Sequence, residues 1–422
     1  MSAAGRPDWL AAGLDHLWLP YAQMKTAPAP LPVARTEGCR IILEDGRVLI
    51  DGIASWWTAC HGYNHPHIAA AIARQVETMP HVMFAGLVHE PAARLAARLA
   101  ALLPGDLDRV FFSESGSVAV EIALKMARQY WRNRGERRDK FLAFRHGYHG
   151  DTAAAMAVSD PATGMHGPTR DFLPTQRIAD LPRDEASATR LDELLAREAT
   201  TLAALVVEPL VQGAGGMIFH DSATLRRLRA AADRHSLLLI ADEIFTGFGR
   251  TGAMFACDAA GIVPDIVTLS KALTGGVLPL AATVARRPVF EAFLSDDADA
   301  GLMHGPTFMA NALACAAANA SLDLFALEDR MAQVAAIEAA LLRDLAPCRR
   351  LPGVRDVRVK GAIGVVELER IPDLDALRRR FVAAGVWIRP FGNIVYLTPS
   401  FTIAADELAA LTGAICRVLG GA

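Results

Sequence analysis

The stretch IVTLSKALTGG occupies residues 266–276. Its first part, IVTLS (266–270), is rich in β-branched and apolar residues and predicts a buried strand, whereas TGG (274–276) predicts a flexible turn. Between them lies a single lysine, Lys271. Desolvation at the end of a buried strand would favour its neutral, nucleophilic amine, although an exposed lysine is the commoner case at a strand end. The residues at the ends of the neighbouring strands therefore decide whether Lys271 belongs to a site.

Other short apolar runs alternate with helix-like segments between about residue 109 and residue 285. The runs that predict further buried strands are VFF (110–112), KFLAF (140–144), AALVVE (203–208), LLLIAD (237–242) and LAATVA (280–285). Amphipathic helices are predicted over 117–132 and over 222–235, the second with Ser222 as its N-cap. Continuous apolar strands are typical of a mostly parallel sheet covered by helices, so we predict an α/β fold.

The pattern changes on either side of this region. Near the N-terminus, RIILEDGRVLIDG (40–52) predicts a hairpin that turns at Asp45-Gly46. A long helix is predicted from Asn311, and the stretches 354–368 and 386–400 each show the alternation of a hairpin before a final helix from about Ala404. We therefore predict a large domain over 56–315 and a smaller α+β domain formed by segments 1–55 and 316–422.

Length and charge limit the kinds of partner. The 422 residues carry a net charge of −3 without a basic block, so we expect no nucleic acid or anionic membrane partner, and a small molecule is favoured. No run of about 18 uncharged apolar residues predicts a membrane span. The first 18 residues carry Asp8 and Asp15 and lack the pattern of a secretory signal, so a cytoplasmic location is expected.

Cysteines and histidines give no metal signature. The six cysteines are scattered without a CxxC spacing, and we interpret them as reduced thiols. The histidines of CHGYNHPH (60–67) have no carboxylate nearby to complete a ligand set, so no metal site is predicted.

Polar residues follow the predicted strands at the edge where doubly wound sheets bind ligands. Gly116 and Ser117, in SESGS (113–117), begin a predicted helix whose free N–H groups can bind a phosphate, although an ordinary serine cap explains them equally well. Asp242 ends a strand, and its partly desolvated carboxylate needs a cation, a protonated ring nitrogen or backbone N–H groups. Together with Lys271, these are the groups that pyridoxal 5'-phosphate requires. Tyr148 would either lie on the cofactor ring or pack in the core.

Two glycine-rich stretches suggest different ligands. GFGRTG (247–252) fits the pattern G-x-G-x-x-G, but a dinucleotide site needs a strand directly before it and a helix directly after it, which the flanking residues do not predict. QGAGG (212–216) lacks the lysine and hydroxyl of a P-loop, so its glycines are predicted to make room for a ligand or a neighbouring backbone.

The motifs, in order, resemble those of the class III, fold type I pyridoxal-phosphate aminotransferases over essentially the whole chain. The matching stretches are SGS (115–117), HGYHGDT (146–152), EPLVQGAGG (208–216), ADEIFTGFGRTG (241–252), LSKALTGG (269–276) and HGPTF (304–308). Within that class, four more stretches resemble the adenosylmethionine-8-amino-7-oxononanoate aminotransferases: WLPYAQM (18–24), SWWTACHGYNHP (55–66), MHGPTFMANALACAAANASL (303–322) and GVWIRPFG (385–392). The resemblance implies a large domain with a mostly parallel seven-stranded sheet and a smaller α+β domain.

The resemblance also implies roles for individual residues. The implied catalytic residues are Lys271, as the Schiff-base lysine and proton shuttle, Asp242, as partner of the pyridinium nitrogen, and Tyr148. The implied cofactor-binding residues are Gly116, Ser117, Tyr148, Asp242 and Lys271, with Pro306 and Thr307 from the partner subunit of a homodimer. The implied substrate-binding residues are Tyr21, Trp56, Tyr148, Lys271, Gly305 and Arg389, with Trp57 in the apolar lining. The chain departs from the expected motifs at Ala22 and Phe245.

The resemblance implies transfer of the amino group of S-adenosyl-L-methionine to 8-amino-7-oxononanoate in biotin biosynthesis, in two half-reactions on one cofactor. Lysine remains a possible donor in place of S-adenosyl-L-methionine. Four further functions stay open: a different ω-amino acid aminotransferase, an aminomutase or decarboxylase of the same fold, an oxidoreductase that uses GFGRTG, and a non-catalytic binding protein.

Overall fold

The computed structural model describes residues 8–162 and 167–421, so the first seven residues of the predicted N-terminal segment lie outside the described part. The strands are β1 (Val33–Glu37), β2 (Arg40–Leu43), β3 (Val48–Asp51), β4 (Leu107–Ser113), β5 (Lys140–Phe144), β6 (Arg177–Ala179), β7 (Leu202–Val207), β8 (Val211–Gln212), β9 (Ile218–Phe219), β10 (Leu238–Asp242), β11 (Ile266–Leu269), β12 (Ala281–Arg286), β13 (Val354–Lys360), β14 (Ile363–Leu368), β15 (Val386–Trp387) and β16 (Ile394–Leu397).

The α-helices span Asp8–Leu14, Pro66–Thr78, Glu90–Leu102, Gly116–Asn133, Ala153–Ala157, Glu185–Glu198, Ser222–Arg234, Ala256–Ala260, Arg287–Glu291, Ala312–Leu327, Arg330–Leu345, Leu374–Ala383 and Ala405–Gly420. Short 3-10 segments span Gly167–Phe172, Ala199–Thr201, Lys271–Thr274, Ala298–Ala300 and Ala346–Arg350. A separate one-turn segment, Ala54–Trp57, has left-handed backbone angles. Within the described ranges, no helix is long and apolar enough to cross a bilayer.

The described part of the chain divides into two compact units, a large one within 66–335 and a small one formed by residues 8–65 together with residues 336–421. Both divisions lie later in the sequence than the predicted boundaries at 55/56 and 315/316. The second lies later because Ala312–Leu327 belongs to the large unit, where Ala317, Ala320 and Leu324 pack against Ile68.

The large unit contains a sheet that, within its described residues, has seven strands in the order β4-β12-β11-β10-β7-β5-β6. The central pairings β11-β10-β7-β5-β6 are parallel, and β12 is antiparallel to both of its neighbours. This arrangement confirms the predicted α/β fold with a mostly parallel sheet. Strand β6 escaped prediction because its three residues, RIA, are too short to show a pattern.

Both predicted helices of the large unit are present. In Gly116–Asn133 the buried face includes Ile122, Met126 and Trp131, and the Trp131 indole donates a hydrogen bond to the carbonyl of Ala203 at 2.8 Å. The prediction of Ser222 as a cap is wrong. Asp221 caps that helix instead, because its carboxylate accepts from the backbone N–H of Thr224 at 2.8 Å.

The small unit contains two antiparallel arrangements. The predicted hairpin at Asp45-Gly46 is confirmed by pairing of β2 with β3, and the stretch 354–368 forms the hairpin β13-β14. The prediction for 386–400 is wrong, because β15 pairs in parallel with β3 whereas β16 joins β14. Pro390, which lacks an N–H donor, and Gly392, at φ 52°, separate these two strands.

The six cysteines are free thiols, as interpreted from their spacing. Five of them are buried and Cys416 is partly exposed, with its Sγ 3.0 Å from that of Cys348 in the small unit.

Candidate active site

The carboxyl ends of neighbouring strands bring several predicted residues together in the large unit. Asp242 is the last residue of β10, Lys271 comes two positions after the end of β11, and the loop that contains Tyr148 comes after β5. Glu208 comes directly after β7, which lies between β5 and β10. Because the four strands are parallel, these residues share one edge of the sheet.

The Asp242 carboxylate is buried and hydrogen-bonded on both oxygens. One oxygen lies 2.7 Å from Nδ1 of His149, and the other accepts from the Thr268 hydroxyl and the Ile244 N–H, both at 3.2 Å. Burial would lower the pKa of His149, but the hydrogen bond and negative charge of Asp242 outweigh burial and raise it. Asp242 is therefore a buried, fully hydrogen-bonded acceptor at the edge of the sheet, where a protonated ring nitrogen could find a partner.

Lys271 is half-buried, and its φ of 48° lies in the left-handed region. Desolvation lowers the pKa of its ammonium, and the nearby charges of Asp242, Glu208 and Asp151 oppose that shift. A lowered pKa increases the fraction of neutral amine, which is the form that attacks carbonyl carbons and accepts protons.

Glu208 is a buried acid of this cluster that was not predicted from the sequence. Its carboxylate accepts from the backbone N–H groups of Tyr148 and Gly213, each at 2.9 Å. Burial raises the pKa of Glu208 to about 7. A signal was present, because Glu208, like Asp242, comes directly after a run of apolar residues. His149 was not predicted either, since only the folded loop brings it to Asp242.

At the start of the helix Gly116–Asn133, Ser115 and Ser117 have different contacts. Ser115 is the N-cap, and its hydroxyl accepts from the N–H of Val118 at 3.4 Å. Ser117 instead meets the Tyr148 loop, where its Oγ accepts from the N–H of Asp151 at 3.0 Å. A Cβ on Gly150 would lie 2.3 Å from this Oγ, so the loop requires glycine for its close approach. With Ser115 as the cap, Gly116 and Ser117 are positioned at the helix end that attracts phosphates.

Tyr148 is half-buried, and its hydroxyl donates to the Asp151 carboxylate at 2.9 Å. Its loop is also approached by the glycines of 212–216. A Cβ on Gly215 would lie 1.7 Å from the carbonyl oxygen of His146, which leaves no room for any other residue. The prediction that these glycines accommodate a neighbouring backbone is thereby confirmed at Gly215.

The GFGRTG stretch does not have the setting of a dinucleotide site. Turns occupy these residues, and the next helix, Ala256–Ala260, begins four residues after the motif. A Cβ on Gly247 would lie 2.8 Å from the carbonyl oxygen of Glu243, so this glycine serves a close backbone contact.

Gly305, Pro306 and Thr307 lie in an irregular segment of the large unit before the helix Ala312–Leu327. Gly305 and Thr307 are exposed. The segment is linked to the helix Gly116–Asn133, because Nδ1 of His304 lies 2.9 Å from Nζ of Lys125.

The small unit brings together the other predicted substrate residues. Tyr21, Trp56 and Arg389 line one cavity of ≈ 560 Å³. The Arg389 guanidinium lies over the Trp56 ring at 4.4 Å, and the Tyr21 ring meets that indole edge-on at 5.9 Å. Burial, followed by the nearby charge of Arg378, lowers the pKa of Arg389. An anion bound there would offset both effects, because it would stabilise the positive charge of Arg389.

Trp57 corrects one expectation. It does not line this cavity, because its side chain is buried and meets the Tyr396 ring edge-on at 6.2 Å. The paired tryptophans therefore have separate places, with Trp56 at the cavity and Trp57 in the core.

Trp56 is presented by the left-handed turn Ala54–Trp57, hereafter the Trp56 turn. Its four residues have φ values of 45°, 49°, 61° and 78°, although none is glycine. Such angles cost roughly 1–2 kcal/mol per residue because Cβ approaches the following carbonyl. The Asp51 carboxylate accepts from the N–H groups of Ile53 at 2.8 Å and Ser55 at 2.7 Å and from the Tyr63 hydroxyl at 2.6 Å. Burial raises the pKa of Asp51.

The buried His220, which contacts Glu208, predicts that the stability of the protein depends on pH. Nε2 of His220 lies 2.9 Å from the carbonyl oxygen of Glu208, and burial lowers the pKa of His220 to about 4. A depressed histidine pKa stabilises the fold above the unfolded-state value of about 6.5, and this contribution is lost as the pH falls towards 4. Between about pH 7 and about pH 5, the contribution of His220 to the free energy of unfolding falls by about 2 kcal/mol.

We expect His220→Gln, which retains an N–H donor, to reduce this loss. The measurement is urea unfolding of both proteins at the two pH values. An equal loss of stability in wild type and variant would contradict the assignment to His220.

Comparison with known proteins identifies relatives over nearly the whole chain. The protein family described as "Aminotransferase class-III" matches residues 21–419. The adenosylmethionine-8-amino-7-oxononanoate aminotransferase of Mycobacterium leprae (strain TN) is 46% identical over 415 residues, which cover 96% of this chain and 95% of the relative.

Solved structures of aminotransferases also match nearly the whole chain. The adenosylmethionine-8-amino-7-oxononanoate aminotransferase from Methanocaldococcus jannaschii DSM 2661 superimposes with a TM-score of 0.92 at 31% identity, covering 98% of each chain. An amine transaminase from an uncultivated Pseudomonas species, solved in its PLP-bound form, superimposes with a TM-score of 0.88 at 34% identity, covering 96% of this chain and 98% of that one.

Proposed function

The chain belongs to the class III aminotransferases, and on that premise we propose that it transfers the amino group of S-adenosyl-L-methionine to the ketone of 8-amino-7-oxononanoate. The products are 7,8-diaminononanoate, for biotin biosynthesis, and the keto acid left by the donor. The observation that carries the chemistry is Lys271, a lysine of lowered pKa next to the buried acid Asp242. The two substrates are those named for the M. leprae and M. jannaschii relatives.

The residues fit pyridoxal 5'-phosphate as the cofactor. Asp242 would hold the protonated ring nitrogen, because the carboxylate is buried and His149 and Thr268 orient it. Gly116 and Ser117 would bind the phosphate, and Tyr148 would lie against the ring. When bound, the cofactor supplies an electron sink for the charge that develops when the substrate loses a proton.

The chain itself would then bind the substrate and move protons. Lys271 would act as the base that takes the proton from the α-carbon of the donor, because its lowered pKa makes the neutral amine available. In the second half-reaction the same amine would return a proton at the carbon that was the ketone of the acceptor. Asp242 would stay in place throughout, since hydrogen bonds from the Thr268 hydroxyl and the Ile244 N–H and the contact with His149 hold its carboxylate.

The small-unit cavity would bind the parts of the substrates that do not react. Arg389 would bind the carboxylate of 8-amino-7-oxononanoate with its planar fork, and Trp56 would pack against the acyl chain. Tyr21 would stack on the adenine of the donor. For Gly305, which lies in the large unit, a role in substrate binding rests on the family resemblance alone.

We further propose that the protein is a homodimer in the cytoplasm. Support comes from the resemblance and from the exposed Thr307, which with Pro306 would complete the phosphate site of the partner. Light scattering that gave the mass of a single chain would contradict the dimer.

The direct test mixes purified protein, pyridoxal 5'-phosphate, S-adenosyl-L-methionine and 8-amino-7-oxononanoate, and detects the diamine by mass spectrometry. A parallel reaction with lysine as donor identifies the amine source. Further reactions offer pyruvate or 2-oxoglutarate as acceptor. Diamine from either donor supports the proposed acceptor, whereas turnover with the simple keto acids alone would replace it with another aminotransferase activity.

Removal of the Arg389 guanidinium tests the carboxylate site. We expect Arg389→Ala to raise the KM for 8-amino-7-oxononanoate by about 10- to 100-fold, because a hydrogen bond to a charged group contributes roughly 1.5–3 kcal/mol. The kcat should change much less, since Arg389 would bind the substrate carboxylate and take no part in proton transfer. Steady-state kinetics measures both values.

The control is Arg379→Ala, which removes an exposed arginine from the helix Leu374–Ala383. An unchanged KM in Arg389→Ala would place the carboxylate elsewhere.

A further inference from the structure

The Trp56 turn is a disfavoured conformation that needs outside support. Four consecutive L-residues in the left-handed region are disfavoured, and such conformations persist only where surrounding contacts impose them. Backbone hydrogen bonds of the turn, from Trp57 N–H to Ile53 at 2.8 Å and from Thr58 N–H to Ala54 at 2.9 Å, are those that a left-handed helix would form by itself. They close the turn but do not favour its handedness over the right-handed alternative.

Asp51 supplies the contacts that select this conformation. It is the last residue of β3, so the sheet positions its backbone, and its side chain is only 1% exposed. Oδ1 accepts from Ile53 N–H, and Oδ2 accepts from Ser55 N–H and from the Tyr63 hydroxyl. In the observed left-handed turn, both N–H groups point at this one carboxylate.

The chemistry of the acceptor explains why a carboxylate is needed. Two oxygens receive three donors at 2.6–2.8 Å, and each oxygen must be an acceptor. An asparagine at this position would present an NH₂ group to at least one N–H donor, because one of its two terminal atoms cannot accept.

The consequence reaches the cavity through Trp56. The turn carries the indole on which the Arg389 guanidinium lies at 4.4 Å and which Tyr21 meets at 5.9 Å. Loss of the left-handed conformation would swing the indole away from both. We propose that Asp51 is a positioning residue for substrate recognition: its carboxylate holds the Trp56 turn and so places Trp56 and Arg389 for the substrate. The identity of that substrate rests on the proposed function, whereas the conformational part does not.

The first experiment compares Asp51→Asn with a matched control, Asp45→Asn, which changes an exposed acid in the β2-β3 hairpin of the same unit. We expect Asp51→Asn to raise the KM for 8-amino-7-oxononanoate by about 10-fold or more, because it loses up to three hydrogen bonds that define the site. The kcat per cofactor-loaded protein should fall less than about 3-fold, since Asp51 touches neither substrate nor reacting atoms. A purely structural role would lower the yield of folded enzyme and leave KM unchanged.

Tyr63→Phe provides a graded second variant, because it removes one donor and leaves the carboxylate with both N–H groups. We expect its KM to rise by about 2- to 5-fold, in line with one ordinary hydrogen bond. If Asp51→Asn does not fold, Tyr63→Phe decides alone. An unchanged KM in the folded variant would overturn the proposal.

The second experiment needs no substrate and so separates this inference from the proposed function. Hydrogen–deuterium exchange is measured on peptides that cover residues 52–58 and on peptides from the β13-β14 hairpin. We expect Asp51→Asn to accelerate exchange in 52–58 by about 10-fold and to leave the hairpin unchanged, because the N–H groups of Ile53 and Ser55 lose their acceptor. Tyr63→Phe should show a smaller acceleration in the same peptide. Unchanged exchange at 52–58 would overturn the inference even if the wild-type protein forms the diamine.

Discussion

Lys271→Ala is expected to lose amino transfer by roughly 10⁴-fold, the upper end of what a positioned proton-transferring side chain contributes. The reason is that one amine would serve both half-reactions, first as a base at the donor and then as an acid at the acceptor. No other lysine can replace it. The remaining four lysines of the sequence are Lys25, Lys125, Lys140 and Lys360. None of them lies just after a strand of the large sheet at its carboxyl end.

The control for this variant is Lys140→Ala. Lys140 is exposed and begins β5 at the opposite edge of the same sheet, where its Nζ donates to the carbonyl of Thr175 at 3.0 Å. Diamine formation by both variants is measured at saturating donor and acceptor. A small primary amine added to Lys271→Ala should restore part of the activity, since it supplies the missing base. Full activity of Lys271→Ala without added amine would refute the proposed chemistry.

Asp242→Asn is expected to lower kcat by roughly 10²–10³-fold, as does removal of a group that stabilises developing charge in other enzymes. The amide keeps the size of the side chain but carries no charge to hold a protonated ring nitrogen. The variant should also bind pyridoxal 5'-phosphate more weakly, which equilibrium dialysis measures. The control is Asp139→Asn, an acid of the same unit that pairs at the surface with Arg128 and Arg137.

His149 distinguishes the charge of Asp242 from its orientation. The buried His149 would act through its contact with Asp242. His149→Gln leaves the carboxylate of Asp242 in place, so it should lower kcat less than Asp242→Asn does. A loss in His149→Gln as large as that in Asp242→Asn would assign the main role to the pair rather than to the carboxylate. Unchanged kcat in Asp242→Asn would refute a role for the charge.

The large sheet could be predicted from sequence because each central strand is apolar on both faces. Runs such as LLLIAD and KFLAF have this character only when helices cover both sides of a sheet, and the pattern therefore also indicates topology. The location of the site could then be predicted as well, since parallel strands gather their C-terminal residues at one edge. Glu208 was missed although it obeys the same rule, because its partners, the backbone N–H groups of Tyr148 and Gly213, come together only in the folded protein.

The small unit was harder to predict because its contacts join distant parts of the sequence. The two-residue strand β15 pairs with β3, far away in the chain, and local alternation suggested a hairpin instead. The stacking of Arg389 on Trp56 has no local signal either, so only the family resemblance singled out these residues. The left-handed Trp56 turn contains no glycine, which is the residue that normally reveals such a conformation.

The small unit is assembled from the first and last parts of the polypeptide, with β3 and β15 as neighbours. During translation, its opening segment leaves the ribosome long before its pairing partner has been synthesised, whereas the continuous large unit is already complete. Until β15 is synthesised, β3 therefore has an unpaired edge, which is the kind of surface that attracts other chains. Truncated or slowly translated products of this gene should consequently aggregate through their N-terminal strands, and chaperones that shield nascent chains should raise the yield of the whole protein.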